Sequence, residues 1–319
     1  MRVVSLGVHI LDILGAPVER GASPGDRHLL ESVRLTAAGT AAGTSVDLAK
    51  LGVEVVAMGA IGDDLLGDLV LRMLDDNGVD TSRIVRKAGI ATSATILPIA
   101  SDGERWSTFH SPGASRHLTL EDIDMDQIVD ADLLHIGGPD ALGAFSDEPL
   151  LEVLRTAKAS GVQTTMDVLS STDAQTVARL TPVLEFVDYF FPNIGQIRAM
   201  TGIDDPLAGA EALRSLGVKC VIATLGPDGS LIVGEGEQVR ISVPETPVVD
   251  TTGCGDAYTA GFIVGTLKGW DLRSRGSLGA ACAGLVAGGL GSDAGIVDLE
   301  STLAFLSEHV SGEPEKLPR

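Results

Sequence analysis

An acidic residue beside a glycine-rich turn is the feature of this sequence with the clearest chemical meaning. In VVDTTGCGDAYTAGF, residues 248–262, Asp250 and Asp256 lie on either side of the turn Thr-Thr-Gly-Cys-Gly. A helix that begins near Gly255 would expose unpaired amides and the positive end of its dipole, and glycines let a ligand approach the backbone closely. Such a turn suits an anion, especially a phosphoryl group in transfer. An acid at this place is explained if it accepts a proton from a neighbouring hydroxyl.

Two residues of this turn have simpler alternative interpretations. Asp256 could cap the helix, which is a common role of Asp at a helix start. Cys254 could be a reactive thiol, because a helix N-terminus lowers thiol pKa values, or merely a small residue that fits the turn. The sequence leaves both alternatives open.

The elements that must position this turn read as alternating strands and helices. Apolar residues recur at helical spacing between the strands, as in Leu66, Leu69, Val70 and Met73, which predicts a parallel sheet covered by helices on both faces. The buried strands are predicted at 2–7, 53–59, 132–138, 163–168, 189–193 and 219–226.

Two segments depart from this alternation and predict a second, smaller sheet. ATSATILPIA and ERWSTFH lie on either side of residues 101–103 and are typical of an antiparallel hairpin, and residues 28–36 form a further strand pattern. Arg105, Trp106 and His110 fall near this hairpin, where they could cover a substrate or simply be exposed strand residues.

Composition excludes several classes of function. The formal net charge of −21 argues against a nucleic-acid partner, and the apolar runs are too short to span a membrane. No signal-peptide pattern opens the chain, and three widely spaced cysteines favour the reducing cytoplasm over a disulfide framework. The six histidines show no zinc-ligand spacing.

The motif DTTGCGDAY resembles the second signature of the ribokinase-like carbohydrate kinases, also called the phosphofructokinase-B type. Further matches follow in the order typical of that family, and they cover nearly the whole chain: VVSLGVHILD, AAGTAAGTSVDLAKLG, GAIGDDLLGDLV, PNIGQ, TLGPDG and ACAGLVAGGLGSDAG. The resemblance implies a single α/β domain over residues 1–319, with a Rossmann-like, mostly parallel sheet and a small β lid. The lid would comprise about residues 10–36 and 89–112, and in many members it is also a homodimer interface.

The resemblance also implies an activity, the phosphorylation of a sugar hydroxyl by ATP with Mg²⁺. Asp256 would be the catalytic base, with an anion hole formed by Gly253, Cys254 and Gly255. The remaining implied residues bind the acceptor (Asp12, Gly39, Thr40 and Gly43), the nucleotide and its magnesium (Asn193, Thr224, Gly226 and Gly229), and, in members activated by a monovalent cation such as K⁺, that ion (Asp250 and Thr252).

Two departures from the family pattern bear on substrate and metal. Gly43 replaces an Asn that contacts the sugar, which removes hydrogen bonds to substrate hydroxyls. Gln196 replaces the acid of P-N-x-x-E, so it could bind a metal-bound water but adds no charge. A nucleoside kinase of the same family is therefore a rival interpretation, as is a non-catalytic nucleotide- or sugar-binding protein. A dinucleotide-dependent oxidoreductase is disfavoured because G-x-G-x-x-G does not follow the first strand.

Overall fold

A sheet of nine strands forms the centre of the computed structural model, which describes residues 1–19, 27, 29–105, 107–170 and 174–309. Its strands are β1 (Arg2–Gly7), β4 (Glu54–Gly62), β5 (Asp80–Lys87), β8 (Leu133–Gly137), β9 (Gln163–Asp167), β10 (Tyr189–Phe190), β11 (Cys220–Thr224), β12 (Ser230–Val233) and β13 (Gln238–Ile241). The spatial order is β13-β12-β11-β10-β9-β8-β1-β4-β5. All neighbours from β11 to β5 pair in parallel, whereas β12 and β13 are antiparallel additions at one edge.

Helices cover both faces of this sheet, as the sequence predicts. They are α1 (Thr40–Lys50), α2 (Leu65–Asp76), α3 (Met125–Val129), α4 (Glu148–Ala159), α5 (Ala174–Leu184), α6 (Ile194–Thr201), α7 (Pro206–Arg214), α8 (Cys254–Leu267), α9 (Leu272–Ala287) and α10 (Leu299–His309). Alternate residues of β1 enter different cores: Val4 and Leu6 pack with α4, α6 and α7, while Val3 packs with α1, α2, α8 and α9. Burial on both faces explains why the parallel strands are almost uniformly apolar.

The second sheet has four strands and projects from the carboxyl edge of the first. It comprises β2 (Ile10–Val18), β3 (Ser32–Ala38), β6 (Ala94–Ala100) and β7 (Phe109–Ser111), in the order β3-β2-β6-β7. The predicted hairpin on either side of residues 101–103 is confirmed as the antiparallel pair β6–β7. We call this four-stranded sheet the lid.

The two faces of the lid differ because side chains alternate along a strand. Asp12, Thr36, Thr95 and His110 occupy one cross-strand row. The next row, on the opposite face, contains Ile13, Leu35, Ile96 and Phe109, and the last three of these are exposed. Polar residues thus face the cleft, and apolar residues face outward.

Several predicted boundaries differ from those observed. The segment 189–193 is a strand only at Tyr189–Phe190, and the hairpin β12–β13 had no prediction. The strand predicted from residue 28 begins at Ser32. Trp106 lies outside the described residues. None of the described helices has the length and apolar character needed to cross a membrane.

Candidate active site

A cleft of about 180 Å³ lies between the lid and the carboxyl ends of the parallel strands. In open parallel sheets this edge is the usual place for a ligand. The cleft brings together most of the predicted site residues, namely Asp12, Gly39, Thr40, Asn193, Thr224, Thr252, Gly253, Gly255 and Asp256. The other predicted residues, Gly43, Cys254, Asp250, Gly226 and Gly229, lie behind or beside it.

Helix α8 points its N-terminus at the cleft. Gly253 is the N-cap residue and has a φ of 83°, in the left-handed region that favours glycine. A Cβ at this position would lie 2.4 Å from the Cα of Ser292, so no larger residue fits without displacing that loop. The first amides of a helix have no partner within it, and the amide of Cys254 makes only a long contact of 3.4 Å with the carbonyl of Thr251, so this end of α8 offers donors to an anion.

Asp256 belongs to the first turn of α8 and does not cap it. The N-cap position is occupied by Gly253, and no side chain caps this helix, so the alternative in which Asp256 is a helix cap is wrong. The side chain is buried at the wall of the cleft. Burial raises the pKa of Asp256 to about 7, the nearby Asp12 raises it as well, and Arg105 lowers it. A carboxyl with this pKa can accept a proton near neutral pH.

Gly43 provides space for Asp256. It belongs to α1, where its amide donates to the carbonyl of Gly39 at 2.8 Å. A Cβ at position 43 would lie 2.5 Å from Oδ2 of Asp256. The structure therefore places Gly43 behind the carboxylate rather than on the cleft surface where we expected it to meet the acceptor.

Asp250 holds the loop that precedes α8. Its Oδ1 accepts hydrogen bonds from the amide and the hydroxyl of Thr252, at 2.9 and 2.8 Å, and its Oδ2 accepts one from the amide of Gly291 at 2.9 Å. The side chain is fully buried. Three hydrogen bonds satisfy the buried charge, so the carboxylate of Asp250 fixes the turn against the loop at 291–293.

The ends of β10 and β11 carry the residues predicted to meet the nucleotide. Asn193 caps α6, and it exchanges hydrogen bonds with Gln196 in a capping box. The amide nitrogen of Gln196 donates to the carbonyl of Val168 at 2.8 Å. Both ends of the Gln196 side chain have partners, while the residue also lines the cleft, so a contact with a metal-bound water stays a prediction. A glutamate could not donate to that carbonyl, which explains the amide at this position.

Two predicted nucleotide-binding glycines lie in the turn between β11 and β12. Gly226 and Gly229 both have positive φ values, 61° and 82°. A Cβ on Gly229 would lie 2.0 Å from the carbonyl of Ile241, so this glycine allows β13 to approach the turn. Thr224, just before the turn, lines the cleft itself.

The polar row of the lid forms a hydrogen-bonded chain above the cleft. The Thr95 hydroxyl bonds the carboxylate of Asp12 and lies 3.1 Å from Nδ1 of His110. Burial raises the pKa of Asp12 to about 6, against the lowering effects of Thr95 and Arg105. Asp12 is thereby held on the lid side of the cleft.

Sequence reasoning missed one carboxylate of the cleft. Asp167 ends β9, is buried, and lies with its Oδ2 4.0 Å from the position of a Cβ on Gly255. Burial raises its pKa well above the ordinary value, and Asp256 raises it further. The signal for this residue was its place at the end of a predicted buried strand, where ligand residues of α/β folds collect.

Cys254 is not an activated thiol. Burial raises its pKa to about 12, and Asp250 and Asp256 raise it further. Of the two alternatives for this residue, the raised pKa favours a small residue that fits the turn over a reactive thiol. The cysteine fits the turn as a small residue.

A helix-covered parallel sheet, with a small lid over a carboxylate and a helix N-terminus, defines a ribokinase-like carbohydrate kinase. The chain belongs to the pfkB family of carbohydrate kinases, because the sequence model of that family matches residues 2–298. This confirms the predicted family, fold and enzyme class.

Individual relatives are similar over most of their length. A sugar kinase of uncharacterized specificity from Archaeoglobus fulgidus is 30% identical over 237 residues, which cover 73% of this chain and 90% of the relative. The 2-dehydro-3-deoxygluconokinase of Bacillus subtilis is 27% identical over 292 residues, 89% of this chain and 90% of the relative. A ribokinase-like protein from E. coli, solved in complex with ATP and Mg²⁺, matches with a TM-score of 0.84 and 22% identity over 97% of this chain and 99% of its own.

Proposed function

We propose that the protein transfers the γ-phosphoryl group of ATP to a hydroxyl of a sugar or sugar-like acceptor, with Asp256 as the base. The acceptor oxygen forms a bond to the γ-phosphorus, and the bond from that phosphorus to the β,γ-bridging oxygen breaks. The hydroxyl proton passes to Asp256, and ADP leaves with the bridging oxygen. The observation that carries this proposal is the buried carboxyl of Asp256 in the first turn of α8, beside the N-terminal backbone of that helix at Gly253 and Gly255, which line the same cleft.

The helix N-terminus and the carboxylate have complementary tasks. The amides stabilise the oxygens of the migrating phosphoryl group, since donors fixed in advance need no reorganisation during the reaction. The carboxyl, with its pKa near 7, removes the proton as the new bond forms. Asp12, Thr40 and the backbone at Gly39 would hold the acceptor hydroxyls on the lid side of the cleft.

Asp167 and Asn193 fit the magnesium that accompanies ATP. Both line the cleft and offer oxygen donors, which Mg²⁺ prefers. A buried acid this close to Gly255 would repel phosphate unless a cation lay between them. When bound, Mg²⁺ would offset the charge of the nucleotide phosphates. Asp167 would thus supply the negative charge that Gln196 lacks.

Activation by K⁺ remains part of the proposal for the turn at Asp250 and Thr252. The carboxylate of Asp250 already accepts three hydrogen bonds, so its side chain is not a vacant ligand. An ion there would have to rely on backbone carbonyls around the turn. A comparison of rates in K⁺, Na⁺ and choline salts tests this point.

The lining of the cleft favours a plain sugar over a nucleoside as the acceptor. Phe191 is the aromatic residue among those described as lining it, and a nucleobase prefers an apolar or aromatic slot. We also propose a cytoplasmic location, on the basis of the three free cysteines.

The decisive experiment measures acceptor-dependent ADP formation by the wild type and by Asp256→Asn. We expect the substitution to lower kcat by about 10²–10⁴, the usual contribution of a positioned base, while ATP affinity measured by calorimetry stays within about threefold, since the base does not bind the nucleotide. Asp76→Asn, at an exposed acid of α2, is the matched control. Normal turnover by Asp256→Asn would refute the assigned role.

A further inference from the structure

Arg105 is placed over the cleft by the tip of the β6–β7 hairpin. It pairs with Ile99 across the hairpin. At the tip, Gly103 has a φ of 80°, and a Cβ there would lie 3.0 Å from the carbonyl of Val249. The tip therefore packs directly against the segment that leads into Asp250 and the catalytic turn. This contact brings a cation from the lid to the rim of the site.

Arg105 is a positive charge in a cleft whose other described charged residues are carboxylates. Three carboxylates, those of Asp12, Asp167 and Asp256, line the cleft, and Arg105 is the one Lys or Arg among the described residues that line it. Its charge lowers the pKa values of Asp12 and Asp256. Even so, no described acid lies within 4.0 Å of its guanidinium, whereas Arg34 on the same sheet is paired with Asp293 at 3.0 Å. The donors of Arg105 are thus free to bind a ligand from the described side of the cleft.

A neutral polyol gives no reason for such an arginine, and in the proposed reaction the migrating phosphoryl group is met by the backbone at the start of α8. Carboxylates, hydroxyls and backbone groups suffice to bind sugar hydroxyls. An acceptor that carried its own negative charge would be repelled by the three acids unless a cation met it at the rim. A guanidinium matches a carboxylate or a phosphate with two parallel hydrogen bonds.

We propose that Arg105 selects acceptors that carry an anionic group, a carboxylate or a phosphate, remote from the hydroxyl that receives the phosphoryl group. This inference rests on the proposed function and specifies its substrate class. Asp12 would then hold the reacting end of the acceptor and Arg105 the charged end. The lid would contribute both contacts, so that a neutral sugar of the same length fills the cleft but lacks one of them.

Steady-state kinetics on matched acceptors tests the proposal. The panel contains carboxylates (D-gluconate and 2-dehydro-3-deoxy-D-gluconate), a phosphate (D-fructose 6-phosphate) and neutral sugars (D-fructose and D-ribose). We expect the wild type to use one anionic acceptor with a kcat/KM at least tenfold above that of the neutral sugars. Arg105→Met should lower this kcat/KM by about 10²-fold, mainly through KM, because it removes a charged hydrogen-bonding partner. It should leave the neutral sugars within threefold at about pH 9, where Asp256 stays ionised although Arg105 no longer lowers its pKa. Arg105→Lys should lie between the two.

A control variant and two contrary outcomes complete this kinetic test of Arg105. Arg72→Met removes an exposed arginine of α2 whose partner is Asp76, and it should behave as wild type. Whichever kind of anionic acceptor, carboxylate or phosphate, has the higher kcat/KM identifies the group that Arg105 binds. A preference for neutral sugars, or an equal loss on every acceptor in Arg105→Met, would overturn the inference, the latter because it would place Arg105 at the transferred phosphoryl group.

Failure of the proposed function has a different signature. If no acceptor supports ADP formation, the catalytic proposal fails, and calorimetric binding of gluconate and fructose 6-phosphate decides the inference alone. Binding of either anion that weakens at least tenfold in Arg105→Met supports the anionic subsite. Absence of binding to the wild type, or equal binding to both proteins, rejects it.

Discussion

The carboxyl of Asp256 owes its chemistry to its surroundings more than to its residue type. This residue of α8 is buried against Gly43 of α1, and Asp12 and Arg105 line the same cleft. Burial and Asp12 raise its pKa to about 7, against the lowering effect of Arg105. The residue is therefore suited to a proton transfer near neutral pH.

The pH dependence of turnover follows from this pKa. Because the base must be ionised, kcat at saturating ATP, Mg²⁺ and acceptor should be level above about pH 7 and fall roughly tenfold per pH unit below it. The profile of kcat/KM should bend again near pH 6, since Asp12 has a pKa of about 6. A kcat that stayed constant down to pH 5.5 would contradict the assignment of Asp256 as the base.

Gly43→Ala should separate activity from stability. The new methyl group would lie 2.5 Å from Oδ2 of Asp256, so the carboxylate must turn away, and a displaced base costs about 10²-fold in kcat. Alanine favours a helix over glycine by about 1 kcal/mol, which offsets part of the strain where the methyl group meets Cβ of Asp256 at 3.2 Å, so the melting temperature should change little. Gly284→Ala in α9, whose added methyl meets Phe305 at an ordinary 3.5 Å, is the control. Full activity of Gly43→Ala would show that Asp256 does not work from this position.

Sequence patterns identified residue types well but not the partners of individual side chains. The glycine turn and the acid after it could be recognised because backbone conformation and spacing are local properties. The hydrogen-bond partner of Gln196 could not be recognised, because the carbonyl that it binds belongs to Val168, 28 residues away. The reason for a glycine at position 43 could not be recognised either, because a side chain there would meet Asp256, which belongs to another helix.

Strand ends supply the cleft with its charged groups. Asp167 ends β9, Asn193 follows β10, and Thr224 ends β11, so that three neighbouring parallel strands deliver side chains to one edge. The alternation of strands and helices correctly predicted the parallel sheet that creates this edge. The antiparallel pair β12–β13 was missed because its short strands lie between loops rather than between helices.

Asp167→Asn should change the response to magnesium. Loss of one negative ligand should raise the Mg²⁺ concentration for half-maximal activity by about tenfold, because ligand charge sets the affinity for a hard cation. Calorimetry of ATP binding with and without Mg²⁺ should show a smaller benefit from the metal than in the wild type. An unchanged Mg²⁺ dependence, alongside an unaffected Asp76→Asn control, would exclude Asp167 from the metal site.

At the scale of the whole molecule, the outer face of the lid lacks a covering layer among the described residues. Its exposed apolar side chains are Leu30, Val33, Leu35, Ile96 and Phe109. A contiguous apolar face of this kind indicates a protein interface. The net charge of −21 repels a second copy at long range, so a homodimer would have to be stabilised by the apolar contact of this face. We propose that two lids pack against each other in a homodimer.

The homodimer can be tested with charge substitutions on this face. The wild type should have twice the chain mass of 32.9 kDa in light scattering at micromolar concentration, and Val33→Glu combined with Ile96→Glu should reduce it to a monomer, because two buried charges would be unpaired. Val297→Glu, at an equally exposed apolar residue outside the lid, should remain dimeric. A wild type that is monomeric at 100 µM would refute the interface.

The crowding of acids around α1 and α8 links folding to proton uptake. Asp12, Asp256, Asp167 and the fully buried Asp47, whose oxygens have no described hydrogen-bond partner, all have raised pKa values in the folded chain. Folded protein therefore binds protons that the unfolded chain has released above about pH 4, and the stability that protonated Asp12 and Asp256 confer disappears as the pH rises through about 6 to 7. The empty enzyme should be least robust at the alkaline pH where it works fastest, and bound cations would then restore its resistance to unfolding.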